Sequence, residues 1–168
     1  MKISTLLAAT LLLSPVTYAE DACKTFRQLN NDQLHNIRLS INRGSGDDMG
    51  LTLAAIAMTE STLGKYRVNT RTKDFGLYQI NLKTAKSIMG IENKYLGYLL
   101  AMKLTFDDEL NAKYALNVLR HFNKVHKGNW SKVIMAYNAG NNYKKGERYL
   151  TKVRSNLKMI RQCMNFGE

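Results

Sequence analysis

The chain has 168 residues, with 25 Lys or Arg against 13 Asp or Glu and a formal net charge of +12. That length suits one domain with a real core, since domains of about 100–150 residues are the commonest size, and no repeat, low-complexity stretch or interdomain linker argues for more. So basic a surface either aids solubility or draws the protein to polyanions such as cell-wall polymers or anionic lipid. A nucleic-acid binder is disfavoured, because no nucleic-acid motif accompanies the charge.

Residues 1–19 read as an export signal. Lys2 supplies the positive start, Leu6 to Leu13 the apolar run, and Thr17-Tyr18-Ala19 a small-x-small cleavage site before Glu20. The apolar run is far shorter than the roughly 20 residues a membrane span needs. Residues 20–168 are then the exported domain, with no membrane span and no lipid anchor expected. Its only two cysteines, Cys23 and Cys163, lie near its two ends. In an exported protein they suggest one disulfide tying the first helix to the last, with two buried free thiols as the alternative.

Glycines punctuate the domain, since the only proline is Pro15 in the signal. Lys24 to Arg43 is expected as a first helix, ended by Gly44-Ser45-Gly46. Asp47 or Asp48 can cap a second helix running to Gly64. Lys65 to Phe75 is polar and irregular, and Arg67 to Ile80 can hold a small hairpin. Asn81 or Lys83 starts a short helix ended by Gly90, and Lys94 to Leu104 reads as another. Asp107-Asp108-Glu109 places acid in the first turn of a long helix ending near Gly128. Asn129 or Ser131 caps the next helix, to Gly140, and a last helix spans roughly Glu147 to Met164. The fold class is mainly α.

Glu60 stands out in the second helix. On a helical repeat it shares a face with Leu53, Ile56 and Ala57. A carboxylate there is costly unless it is paired or takes up a proton. The nearby helix C-terminus also favours the neutral form. A Glu protonated at neutral pH is what a general acid requires. The bland alternative is a carboxylate at the core edge that merely reaches solvent.

Three segments bear on that choice: Glu60-Ser61-Thr62-Leu63-Gly64; Asp74-Phe75-Gly76-Leu77-Tyr78-Gln79-Ile80-Asn81; and Ala136-Tyr137-Asn138-Ala139-Gly140 followed by Arg148-Tyr149. In this order, over about residues 47–155, they resemble the soluble lytic transglycosylases, which cleave peptidoglycan. The resemblance implies a single lysozyme-like domain with the hairpin near its active site. It makes Glu60 the catalytic acid/base and Ser61 the hydroxyl beside it, which steadies the local turn and lies by the substrate. Gln79 becomes an amide facing the sugar groove, and Tyr137 the tyrosine whose hydroxyl approaches the Glu. Ala136 and Asn138 flank Tyr137, and Tyr149 is the late tyrosine near the cleavage site. Tyr78 replaces the family's usual Met, where its ring could carry a sugar. Asn69 stands where many members place a serine that contacts an N-acetyl group.

Asp74 admits two readings. Its segment also resembles the Asp-Tyr-Gly-x-x-Gln-Ile-Asn stretch of animal-type lysozymes, in which the aspartate is a second carboxylate, and lysozyme is a standard two-carboxylate case. Transglycosylases associated with secretion or conjugation carry an Asp here too, which makes a structural turn role equally open. The lead expectation is therefore a transglycosylase forming 1,6-anhydro ends. A hydrolytic muramidase using Glu60 with Asp74 is the alternative, and a non-catalytic wall-binding module a minor one. The expected partner is the peptidoglycan strand. The small size resembles specialised members that serve secretion systems, conjugation pili or phage entry, and this chain is expected to be a monomer in the periplasm or at the wall. His35, His121 and His126 form no ligand spacing and no Gly-rich phosphate loop appears, so neither metal nor cofactor is expected.

Overall fold

The computed structural model describes residues 23–164. The export signal expected over residues 1–19 lies outside the described residues. The first expected helix is two pieces: α1 covers 23–27 and α2 spans Asn31–Gly44. Asn30 causes the break. Its side chain accepts from the Gln33 backbone N–H at 2.9 Å while Gln33 Oε1 accepts the Asn30 N–H at 3.0 Å, a reciprocal capping box that starts a new helix.

A 3-10 turn, Ser45–Asp47, leads to α3, Gly50–Ser61. Neither Asp47 nor Asp48 caps α3, whose N-cap, Met49, makes no side-chain bond. Asp47 instead pairs with Arg120. Helix α3 stops at Ser61, before Gly64, because Thr62 and Leu63 already adopt left-handed backbone at φ 54° and 57°. Such angles are unusual for Leu and more so for β-branched Thr. They persist here because α2 holds the turn: Gln33 Nε2 donates to the Thr62 carbonyl at 3.1 Å and Asn36 Nδ2 to the Leu63 carbonyl at 3.0 Å.

The expected hairpin is a three-stranded antiparallel sheet in the order β1 (Val68–Asn69), β2 (Asp74–Phe75), β3 (Ile80–Asn81). Asp74 lies opposite Asn69 on one side and Asn81 on the other. Helices α4 (Leu82–Met89), α5 (Lys94–Phe106) and α6 (Asp108–Val125) follow, each capped by a preceding Asn or Asp side chain. Buried Asn111 of α6 joins the sheet to the helices. It donates to the carbonyls of Phe75 at 2.9 Å and Leu104 at 3.0 Å, and accepts from the Tyr78 N–H at 2.8 Å. Gly76, at φ +84°, sits so close that an added Cβ would lie 2.0 Å from the Leu104 oxygen.

Helix α7 (Trp130–Ala139), a 3-10 segment (Gly140–Gly146) and α8 (Glu147–Cys163) are the last elements of the described residues. Helix α3 lies in the middle, packed against α2 and α8, and its Leu53 and Ile56 are fully buried. Leu119 of α6, Val133 of α7 and Ile160 of α8 close the same core. Cys23 and Cys163 form the disulfide, with Cα atoms 5.2 Å apart, so the first helix is tied to the last. No helix among the described residues is long and apolar enough to cross a membrane.

Candidate active site

Glu60 occupies the last turn of α3 and lines a cleft of about 380 Å³. The floor and walls come from Asp74, Gln79 and Asn81 of the sheet region, Thr84 of α4, and Val118 and Phe122 of α6. Ala136, Tyr137, Asn138 and Gly140 complete it from α7 and its end. Burial pushes the Glu60 carboxyl up to about 7, against a hydrogen bond from Tyr149 that lowers it, with the charge of Asp74 adding to the rise. The carboxyl therefore keeps its proton to higher pH than an ordinary Glu.

Tyr149 of α8 donates its hydroxyl to Glu60 Oε1 at 2.7 Å. Its ring stacks on that of Tyr137, centroids 6.4 Å apart and planes 9° from parallel. Tyr137 does not bond Glu60. Its hydroxyl donates to the Tyr78 carbonyl at 3.0 Å. The hydroxyl bonded to Glu60 is therefore that of Tyr149, because α8 packs directly on α3, while Tyr137 lines the same cleft with its hydroxyl turned to the loop before β3. Burial, followed by the Glu60 charge, raises both phenols well above their ordinary range, so both remain donors at neutral pH.

Burial separates the remaining expected residues into those on the cleft and those beneath it. Ser61 is fully buried: its hydroxyl donates to the Leu77 carbonyl at 2.6 Å and accepts from the Gly64 N–H at 2.8 Å. It braces the turn beneath Glu60 and has no surface to offer a substrate. Tyr78 is also fully buried, its hydroxyl 2.8 Å from that of Ser40, so its ring is core and not a sugar platform. Asn69 does not line the cleft; its side chain accepts from the Thr72 N–H at 3.3 Å and holds the β1–β2 turn.

Gln79 does line the cleft, on left-handed backbone at φ 49°. Its amide N donates to the carbonyls of Gly76 at 2.9 Å and Tyr66 at 3.2 Å, which leaves its amide oxygen to face a ligand. Asp74 accepts from Asn81 Nδ2 at 2.8 Å, so it has a structural bond as well as a place on the cleft. Ala136 is fully buried and Asn138 exposed at the rim.

Several supports escaped the sequence reading. Thr59 back-bonds to Ala55 at 2.8 Å and accepts from Asn156 of α8 at 2.9 Å, clamping the turn that carries Glu60. Asn111 carried a signal: it falls on one face with Ala115 and Leu119, an amide at an apolar repeat position. Among the described residues no cluster of His, Cys, Asp or Glu could hold a metal ion.

A mainly helical domain with a small antiparallel sheet is a lysozyme-like architecture, and here a buried carboxylate lies beside the sheet. Residues 27–159 match the family described as Transglycosylase SLT domain, and the chain belongs to that family. No curated protein and no solved structure matches the chain. Family membership assigns the domain to peptidoglycan.

Proposed function

We propose that the domain is a lytic transglycosylase that cuts the β-1,4 bond between N-acetylmuramic acid and N-acetylglucosamine, with Glu60 as its single acid/base. The observation that carries this reading is the Glu60 carboxyl, raised to about 7 and held by Tyr149 within the cleft.

Neutral Glu60 gives its proton to the bridging oxygen as the bond from the anomeric carbon breaks. The acetamido oxygen of the muramic residue closes on that carbon, the substrate-assisted route. Glu60, now a carboxylate, takes the proton of the same sugar's 6-hydroxyl, whose oxygen attacks the anomeric carbon and reopens the acetamido ring. Atoms balance without water, and the 1,6-anhydro end results. The internal hydroxyl is favoured because it is already held beside its target. Tyr149 steadies the carboxylate formed between the two proton transfers.

Asp74 supports a second reading, hydrolysis, because it lines the same cleft and its charge acts on Glu60. Mass spectrometry of muropeptides released from purified walls decides between them. Anhydro ends are expected, and Glu60→Gln should release none. Reducing ends alone would overturn the transglycosylase reading. Export of residues 20–168 after the signal at 1–19, action in the periplasm or at the wall, and service to a secretion, conjugation or phage infection machine belong to the same proposal. The disulfide is in keeping with an oxidising compartment.

A further inference from the structure

Helix α5 is apolar on both of its faces. Gly97, Leu100, Ala101 and Leu104 are buried against the domain. Tyr95, Tyr98, Leu99, Met102 and Phe106 lie on the opposite side, each more than half exposed. Their helical spacing keeps them on one stripe, roughly 16 Å from end to end. Single exposed apolar side chains are ordinary, but a contiguous apolar stripe marks an interaction surface. Nothing among the described residues covers it. None of the five side chains lines the Glu60 cleft.

Along one edge the stripe meets a groove of about 610 Å³ between α4 and α5, which Tyr98 also lines. Lys73, Lys83, Lys86 and Lys94 surround that groove, against a single carboxylate, Glu92. None of the four lysines enters an ion pair among the described residues. Lys94 lies over the Tyr98 ring, its Nζ 5.7 Å from the centroid, so charge and stripe touch. The acids beyond Phe106 are engaged elsewhere: Asp107 caps α6, while Asp108 and Glu109 pair with Arg67 and Arg43. Whatever covers this face must be anionic and apolar at once. A second copy fails on charge, because a two-fold contact here sets the lysines against their own counterparts. An anionic bilayer meets both demands, with phosphates at headgroup depth and acyl chains beneath. Tyrosines beside lysines are also the side chains that settle at that boundary. We propose that the outer face of α5 docks the domain on an anionic phospholipid surface. Tyr95, Leu99, Met102 and Phe106 enter the acyl boundary, and the lysines of the α4–α5 groove meet headgroup phosphates. The Glu60 cleft shares none of these side chains and stays open in the docked protein.

The test is co-sedimentation with vesicles, which needs no turnover and so stands apart from the glycan chemistry. It uses residues 20–168, which hold every described element and lack the apolar run Leu6 to Leu13, a segment that would itself enter lipid. The vesicles are phosphatidylcholine alone, or equal parts phosphatidylcholine and phosphatidylglycerol. Binding should favour the anionic vesicles and weaken as salt rises. Leu99→Ser with Phe106→Ser should weaken it by more than about tenfold, the scale of two apolar side chains kept in water. Lys83→Ala with Lys94→Ala should weaken it about tenfold at low salt, and Lys152→Ala with Lys158→Ala on α8, an equal loss of charge, much less. All these positions are exposed, so the urea midpoint should not move. A tryptophan placed by Phe106→Trp should shift to the blue on the anionic vesicles and be quenched by brominated acyl chains. Wild type, whose one tryptophan is Trp130 on α7, should show neither change. No binding to anionic vesicles at low salt would overturn the proposal and leave the stripe to a protein partner. Binding that survives the serine pair but is lost with the α8 lysines would overturn it in favour of bulk charge. A doubled mass in lipid-free light scattering that the serine pair abolishes would overturn it in favour of a second copy.

Discussion

Replacing Glu60 with Gln should stabilise the protein at alkaline pH while it silences the site. The Glu60 carboxyl is raised from 4.5 to about 7 in the folded chain. Below pH 4.5 both folded and unfolded chains hold the proton, and Glu60 contributes no pH dependence. Between 4.5 and 7 the folded chain keeps a proton that the unfolded chain has released, so stability falls as pH rises. Above 7 the full penalty applies, about 3 kcal/mol for a rise of this size. The substituted amide cannot ionise, and its carbonyl oxygen can still accept from Tyr149, so most of that penalty disappears in the variant. Urea denaturation of both proteins at pH 4.5, 6 and 8 measures it. The stability gap should widen in favour of Glu60→Gln by about 2–3 kcal/mol from the acid to the alkaline end, with m unchanged. Titration of every other carboxylate cancels in the difference. A gap independent of pH, or a Gln variant less stable than wild type at pH 8, would refute the argument that burial raises this carboxyl.

The same coupling sets the pH profile of wall lysis. Activity should fall above about pH 7 as Glu60 loses its proton. Tyr149→Phe removes the bond that lowers the Glu60 pKa, so the alkaline limb should move to higher pH. Asp74→Asn removes a charge that raises it, so the limb should move the other way, and parallel shifts in the two variants would contradict these assignments. Asp74→Asn should retain anhydro product, whereas near-complete loss would favour two-carboxylate hydrolysis. Reducing Cys23–Cys163, which spans 140 residues, should lower stability by about 4–5 kcal/mol in the loop-entropy account, and an unchanged urea midpoint under reductant would count against it. Gly76→Ala should cost about 2–4 kcal/mol in thermal or urea unfolding, since φ is +84° and the new Cβ would meet the Leu104 oxygen; a neutral effect would mean that the α5–sheet corner yields.

Much of the fold could be read along the chain because its causes are local. Asn93, Asp107 and Asn129 start helices with their own side chains, and Gly90 ends one in left-handed backbone. The helical period placed Glu60 on a face of apolar residues, and the hairpin expected over Arg67 to Ile80 marked the place of the sheet. Two cysteines near the ends of residues 20–168 pointed to the disulfide that joins them. Local cues also misled, where a candidate cap such as Asp47 found a partner 73 residues away in Arg120.

What local cues could not decide was the direction of each side chain once the helices crossed. Tyr137 and Tyr149 are both tyrosines on amphipathic helices, yet the one 89 positions from Glu60 is the one that hydrogen-bonds its carboxyl. That depends on how α7 and α8 lie across α3. Tyr78 and Gln79 are neighbours in sequence, but the left-handed backbone at Gln79 sends one side chain into the core against Ser40 and leaves the other on the cleft. The raised carboxyl itself belongs to this second group. Residue type and spacing supplied an acid on an apolar face, but its desolvation is the joint effect of helices and strands remote in sequence, and only their packing makes it large.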